Sequence, residues 1–181
     1  MSRGTRLVTA AEFEDLPLGD SRYELVDGQL VAMSRSHSPT GESSYSSARC
    51  CMRTWGSHGL GVVVTDVGFV LATSPDTVRA PDVAFVAADR IPSANACGFF
   101  AGPPDLAVEV MSPEDRATET AARVADYLRH GTAVVLVVDP ERQTASVHRQ
   151  FATTIVSSAD DVIDLDDVVP GFRVSVRDVL R

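Results

Sequence analysis

One stretch restricts the fold more than any other: from Asp105 to Asp139 the chain reads as apolar strand, amphipathic helix, apolar strand. "DLAVEV" opens the stretch and "AVVLVVDP" closes it. Between them Ala117, Ala121, Val124, Ala125 and Leu128 recur at helical spacing. This spacing predicts a helix over about 114–130 that buries those five side chains, with Gly131 as its stop. Two strands joined by such a crossover run parallel, and the connection is right-handed. A strand as uniformly apolar as "AVVLVV" is covered on both faces. The chain is therefore α/β, or α+β with a mixed sheet: a central mixed β-sheet flanked by helices.

The other segments fit around that unit. Thr9-Ala-Ala-Glu12 is a capping-box pattern and predicts a short helix over about 10–15. "RYELVDGQLVAM" is two strands joined by Asp27-Gly28, a strong hairpin signal. Over about 41–56, Tyr45, Ala48, Met52 and Trp55 recur at helical spacing and predict a further amphipathic helix. "GVVVTDVGFVL" gives one or two strands, "DVAFV" another, and "ASVHRQ" pairs with "AVVLVVDP" across "DPERQT". The 181 residues suit one domain, 1–181, without a linker or internal repeat.

Against this apolar background three acids stand out. Glu109 lies between Val108 and Val110, Asp82 opens "DVAFV", and Glu24 lies between Tyr23 and Leu25. With a period of two, Asp105, Ala107 and Glu109 share one strand face and Leu106, Val108 and Val110 the other. A carboxylate inside such a strand loses hydration and requires a partner. Two answers are open: a divalent cation shared by converging acids, or arginine partners such as Arg79 or Arg116. For Glu24 alone, a third answer, an outer strand face open to water, carries equal weight.

Charge narrows the function. The net charge is −9, and all 16 basic residues are arginine. Five aspartates (Asp160, Asp161, Asp164, Asp166 and Asp167) cluster without a base among them, which reads as a solvated loop. An acidic surface excludes a protein that coats nucleic acid non-specifically, but not one that meets phosphates in a local cleft. No apolar run is long enough to span a bilayer, and the first residues lack the apolar core of a signal peptide. The expected location is the cytosol, with Cys50, Cys51 and Cys97 reduced. His58, His130 and His148 are expected at the surface.

In order along the chain, "SRYELVDGQLVAM", "TVRAPDVAFV", "GPPDLAVEVMSPED", "RVADYLRHG", "VVLVVDP" and "VVPGF" resemble the Uma-two family of bacterial restriction endonucleases. That family is catalogued within the PD-(D/E)XK nuclease superfamily. The resemblance covers almost the whole chain. It implies a restriction-endonuclease-like core and a metal-dependent endonuclease that hydrolyses phosphodiester bonds of DNA. Asp82 matches the metal-binding aspartate and Glu109 the acid of the (D/E)XK element. Glu24 matches the family's N-terminal acid, and the Val110 carbonyl is a further oxygen ligand. The implied metal set is thus Asp82, Glu109, Val110 and Glu24, and hard oxygen donors favour Mg²⁺ or Mn²⁺. Superfamily nucleases often act as homodimers, for which Phe99 and Phe100 offer apolar surface.

The chain departs from the pattern at two places. Met111 stands where the superfamily has lysine, and Arg123, four residues before Tyr127, takes the position of the helix-borne lysine. A helical wheel sets Arg116, Thr120, Arg123 and Tyr127 along one edge. Arginine stays protonated, so Arg123 cannot be a general base, but it can hold a phosphate or a growing negative charge. Thr40-Gly41 replaces a His-Gly of the family, with His37 nearby. These departures keep a second reading open: a catalytically weakened or inactive nuclease-fold protein that acts as an interaction or regulatory module.

Overall fold

The structure, a computed structural model, describes residues 6–18, 22–33, 59–91, 98–156, 158 and 160–180. The expected helix over 41–56, all three cysteines, His37, His58 and Thr40-Gly41 lie outside these residues.

Thr9 caps α1 (Ala10–Glu14) in a complete capping box with Glu12, as the sequence pattern requires. The hairpin follows as β1 (Tyr23–Val26) and β2 (Gln29–Ala32). Its two-residue turn holds Asp27 at φ 49° and Gly28 at φ 73°, the conformation that Asp-Gly tolerates best. "GVVVTDVGFVL" forms two strands, β3 (Gly61–Thr65) and β4 (Phe69–Ala72), and these enter different sheets. Next come β5 (Thr77–Arg79), β6 (Val83–Ala87), β7 (Phe100–Ala101) and β8 (Leu106–Val110). Helix α2 (Ala117–Arg129) leads to β9 (Val134–Asp139), β10 (Thr144–Arg149) and β11 (Ala152–Val156). A two-stranded ribbon, β12 (Val162–Asp164) with β13 (Arg173–Ser175), and α3 (Val176–Val179) complete the described chain.

The main sheet has the order β11-β10-β9-β8-β6-β3. Strands β8 and β9 are parallel and joined by α2, as the strand–helix–strand pattern demands; the other pairs are antiparallel. A second sheet, β2-β1-β5-β4-β7, is the part of the architecture that local pattern did not foresee. It joins the β1–β2 hairpin to the β4–β5 pair and to β7, segments far apart in sequence, so no periodicity announces those pairings.

The main sheet separates two cores. On one face Phe85, Leu106, Val108, Leu136 and Val147 pack against Ile163, Leu165, Phe172 and Val176. The acidic tail is therefore a ribbon whose apolar residues are core, not a loop. On the other face Ala107, Val135 and Val137 pack beneath Val124 and Tyr127 of α2 and beneath Phe69 and Leu71 of β4. A third cluster, Phe13, Leu25 and Val78, seats α1 on the second sheet.

Helix α2 is rotated from the expected orientation. Thr120, Val124 and Tyr127 are its buried residues, while Ala117, Ala121 and Ala125 are exposed. Tyr127 fills more volume than any alanine, so the helix turns its largest side chains inward. The alanine flank instead lines an open cleft of about 700 Å³ with Met111, His148 and Phe151. Phe99 and Phe100 also turn inward: Phe99 packs on Phe13 and Phe100 on Phe69, each with ring centroids 5.2 Å apart. They therefore do not supply the free apolar surface expected of them.

Candidate active site

Residues 80–82 carry the chain from the second sheet to the main sheet, since β5 ends at Arg79 and β6 begins at Val83. Asp82 is thus not inside a strand, as its sequence neighbours suggest, but at the entrance to one. Strands β6 and β8 pair antiparallel with Val83 opposite Val108. Continuing this register by one residue sets Asp82 opposite Glu109, on the face that α2 covers. Like charges directly opposite each other destabilise a sheet, so this juxtaposition calls for a compensating group.

Compensation within the chain is partial. Asp82 is half-buried, and its Oδ2 accepts the Val110 N–H at 2.8 Å. Burial raises its pKa, and the Val110 hydrogen bond and the Arg22 and Arg123 charges act against that rise. Glu109 is 4% exposed, and its Oε2 accepts a 3.3 Å hydrogen bond from Arg123 Nη1. Its Oε1 is buried and has no hydrogen-bond partner among the described residues. Burial, then the Asp82 charge, pushes the Glu109 pKa up to about 8, and the Arg123 guanidinium does not offset them. The Tyr127 hydroxyl also lies against Glu109, close enough to couple with it but short of full hydrogen-bonding geometry. Burial raises the Tyr127 pKa well above its ordinary value, and the Glu109 charge raises it further.

Glu24 is in a different condition. It is 2% exposed rather than open to water. The register Leu25 opposite Val78 sets Glu24 across from Arg79, and Arg79 Nη1 donates to Glu24 Oε2 at 2.5 Å. The Ala80 N–H donates to Oε1 at 3.2 Å. Arg123 Nε lies 3.6 Å from Oε2. The other side of the Arg79 guanidinium grips Asp126 of α2 through Nε, at 3.1 Å, and Nη2.

Helix α2 therefore brings three groups to the site, Arg123, Asp126 and Tyr127, of which the family resemblance pointed to Arg123, four residues before Tyr127. Arg123 is close to buried, with its side chain 14% exposed. Arg116, set on the same edge by the wheel, points to solvent and, among the described residues, pairs with Glu119 at 3.9 Å. Asp126 was missed; the signal available was an acid three residues from Arg123, close to the border of the buried face.

The other titratable candidates lie elsewhere. His148 is not a plain surface residue: it is partly buried on β10 between Ser146 Oγ (2.8 Å) and Thr153 Oγ1 (3.2 Å), and burial lowers its pKa. His130 is also half-buried, with Nδ1 2.7 Å from the Asp126 carbonyl oxygen. The C-terminal aspartates are exposed, and arginines answer three of them: Asp160 by Arg177, Asp164 by Arg173 and Asp167 by Arg149.

Among the described residues no three Asp, Glu, His or Cys side chains gather as a group that could hold a metal. Glu24, Asp82 and Glu109 are neighbours, yet only Asp82 and Glu109 face each other without an arginine between them. The cluster's charges still point to a cation. Its four carboxylates (Glu24, Asp82, Glu109, Asp126) meet three guanidiniums (Arg79, Arg123 and, from the exposed side of Asp126, Arg129), so full ionisation leaves one negative charge unanswered, at the Asp82–Glu109 pair. Either Glu109 keeps a proton or a divalent cation enters. A pair of hard oxygen donors with an unpartnered Oε1 fits Mg²⁺ or Mn²⁺.

Comparison with known proteins agrees with the sequence resemblance. A sequence model of the Uma2 family, described as "Putative restriction endonuclease", matches residues 10–177. No curated protein matches the chain. Among solved structures, a "putative nuclease belonging to DUF820" from Anabaena variabilis ATCC 29413 superposes with a TM-score of 0.83 at 20% identity. The match covers 96% of this chain and 97% of that one. Among the described residues no helix is long and apolar enough to cross a membrane. The mixed α+β chain shares its fold with that solved structure and belongs to the Uma2 family.

Proposed function

We propose that the protein is a divalent-cation-dependent nuclease that hydrolyses phosphodiester bonds of DNA, with Asp82 and Glu109 as the carboxylates that hold the cation. One observation carries the reading: next to the Asp82 charge Glu109 presents a buried Oε1 that has no hydrogen-bond partner among the described residues. A protein that needed these acids only for packing gains nothing from that arrangement, since an unpaired buried oxygen costs stability. The Val110 peptide, tied to Asp82 by its N–H, brings a carbonyl oxygen to the same neighbourhood as a third donor. When bound, Mg²⁺ or Mn²⁺ supplies Lewis-acid polarisation of a phosphodiester oxygen and lowers the pKa of an attacking water.

The chain's own groups do the rest. Arg123 stays protonated at all relevant pH values, and its contacts at 3.3 and 3.6 Å are long. Its remaining N–H donors are thus available to a phosphate oxygen as negative charge grows there. Arg123 takes no proton, so the proton of the attacking water leaves to solvent. The test is nicking of supercoiled plasmid with Mg²⁺ or Mn²⁺, by wild type and by Asp82→Ala. Cleavage by the first and none by the second, with both melting cooperatively, supports the reading. No cleavage of DNA or RNA by either, with no heat of cation binding, removes it.

A second reading has one observation behind it. Glu24 and Asp126 share the buried Arg79 in an ion-pair chain, which is what an interaction module retaining the fold for structural reasons would keep. It predicts a folded protein without cation affinity.

A further inference from the structure

The three site acids are not equivalent, and the difference assigns them separate roles. Among the described residues Glu109 has an oxygen without a hydrogen-bond partner, and the hydrogen bond from Val110 engages only one oxygen of Asp82. Both oxygens of Glu24 are engaged, Oε2 by Arg79 and Oε1 by the Ala80 N–H. The same Oε2 lies 3.6 Å from Arg123 Nε. Arg79 is itself buried, at 6% exposure, and its other edge grips Asp126, three positions along α2 from Arg123. A continuous chain, Asp126–Arg79–Glu24–Arg123–Glu109, thus runs from the second sheet into α2 and on to β8.

We infer that Glu24 and Arg79 are positioning residues that act through Arg123, and that Glu24 is not a ligand of the cation. This inference rests on the nuclease reading above and refines its site. To ligate a cation, Glu24 would turn from Arg79 and leave a buried guanidinium answered on one side only, which costs more than breaking an exposed pair. Held in place, Glu24 steadies the Nε edge of Arg123 while Glu109 meets its Nη1 end. Arg79 fixes the height of α2 through Asp126, and so fixes where the Arg123 guanidinium stands. The cation's protein donors are then Asp82, Glu109 and the Val110 carbonyl.

The test measures binding and cleavage separately on the full chain. Mn²⁺ alone is titrated calorimetrically into wild type, Glu24→Gln and Asp82→Asn. The expected result is an affinity for Glu24→Gln within about threefold of wild type, and a loss of more than about tenfold for Asp82→Asn. Plasmid cleavage by Glu24→Gln falls about as far as by Arg123→Gln, and the double variant falls no further, because the two side chains act as a unit. Glu24→Gln is close to isosteric; should it unfold, Glu24→Gln with Arg79→Gln removes both charges together and takes its place. Loss of Mn²⁺ affinity in Glu24→Gln comparable to that in Asp82→Asn overturns the inference while leaving the nuclease reading intact. Additive losses in the double variant overturn it as well. Failure of wild type to bind Mn²⁺ removes the nuclease reading, and the inference with it.

Discussion

Acidic residues are concentrated in two regions of this molecule, and the two behave in opposite ways. Near the C-terminus five aspartates crowd a short sequence, yet all are exposed and each has a partner. Asp167 takes both ends of the Arg149 guanidinium, which holds its carboxyl below the usual range. Asp160 and Asp164 meet arginines, Asp161 accepts the Ser158 N–H, and Asp166 accepts the Gly171 N–H. At the junction of the two sheets, Glu24, Asp82, Glu109 and Asp126 come from four distant segments and are largely removed from water. There Glu109 is pushed up to about 8. The same residue type is inert where it is dense along the chain and demanding where it converges in space, because solvent screens the first group, whereas the second is cut off from water and only partly answered by Arg79 and Arg123.

The largest expected effect separates the two groups most clearly. Glu109→Gln should reduce cleavage about 10³-fold or more, whereas Asp167→Asn should leave it within about twofold, both read by plasmid nicking at saturating Mn²⁺. If Asp167→Asn inactivates the protein as fully as Glu109→Gln, the contrast is wrong. Next, Arg123→Ala should cost about 10²-fold in cleavage, the usual loss of one preorganised donor to a developing charge. A cleavage rate for Arg123→Lys well above that of wild type would show that arginine weakens an otherwise conventional site.

The pH dependence of stability sharpens the comparison further. Glu109's folded pKa is raised from about 4.5 to about 8, so the folded chain binds more protons than the unfolded chain between those values. Its contribution is fully present below about pH 4.5 and is lost as pH rises through about 8, at no more than about 1.4 kcal/mol per pH unit. Melting without divalent cation should therefore fall from about pH 5 to about pH 8, and Glu109→Gln should flatten that slope. Added Mn²⁺ should restore wild type at the alkaline end. Asp167 has the opposite sign, with a depressed pKa, so its smaller contribution is lost only on acidification. The smallest effect belongs to the exposed pair: Arg149→Ala should cost under about 1 kcal/mol by chemical denaturation, and less at high salt.

Much of this was legible in the residues. The crossover unit, the Asp-Gly hairpin, the capping box and the pairing of β10 with β9 each follow from a local pattern with one physical solution. Asp82 and Glu109 also stood out, as charges in apolar surroundings, and the family resemblance pointed to Arg123. What escaped was non-local. The second sheet joins the β1–β2 hairpin, the β4–β5 pair and β7 across gaps that no periodicity spans. The Glu24–Arg79 pair depends on the register of β1 on β5, so Glu24 read equally well as a solvent-facing residue. Helix α2 carries alanines on one flank and Tyr127 on another, and counting apolar positions favoured the alanines. Side-chain volume, not apolar count, decided which flank the sheet covers.

The most direct test of the central claim is anomalous diffraction from a crystal soaked in Mn²⁺. The account predicts one strong peak between the Asp82 and Glu109 carboxylates, with Glu24 still on Arg79. A peak only among the C-terminal aspartates, or no peak at all, would contradict it.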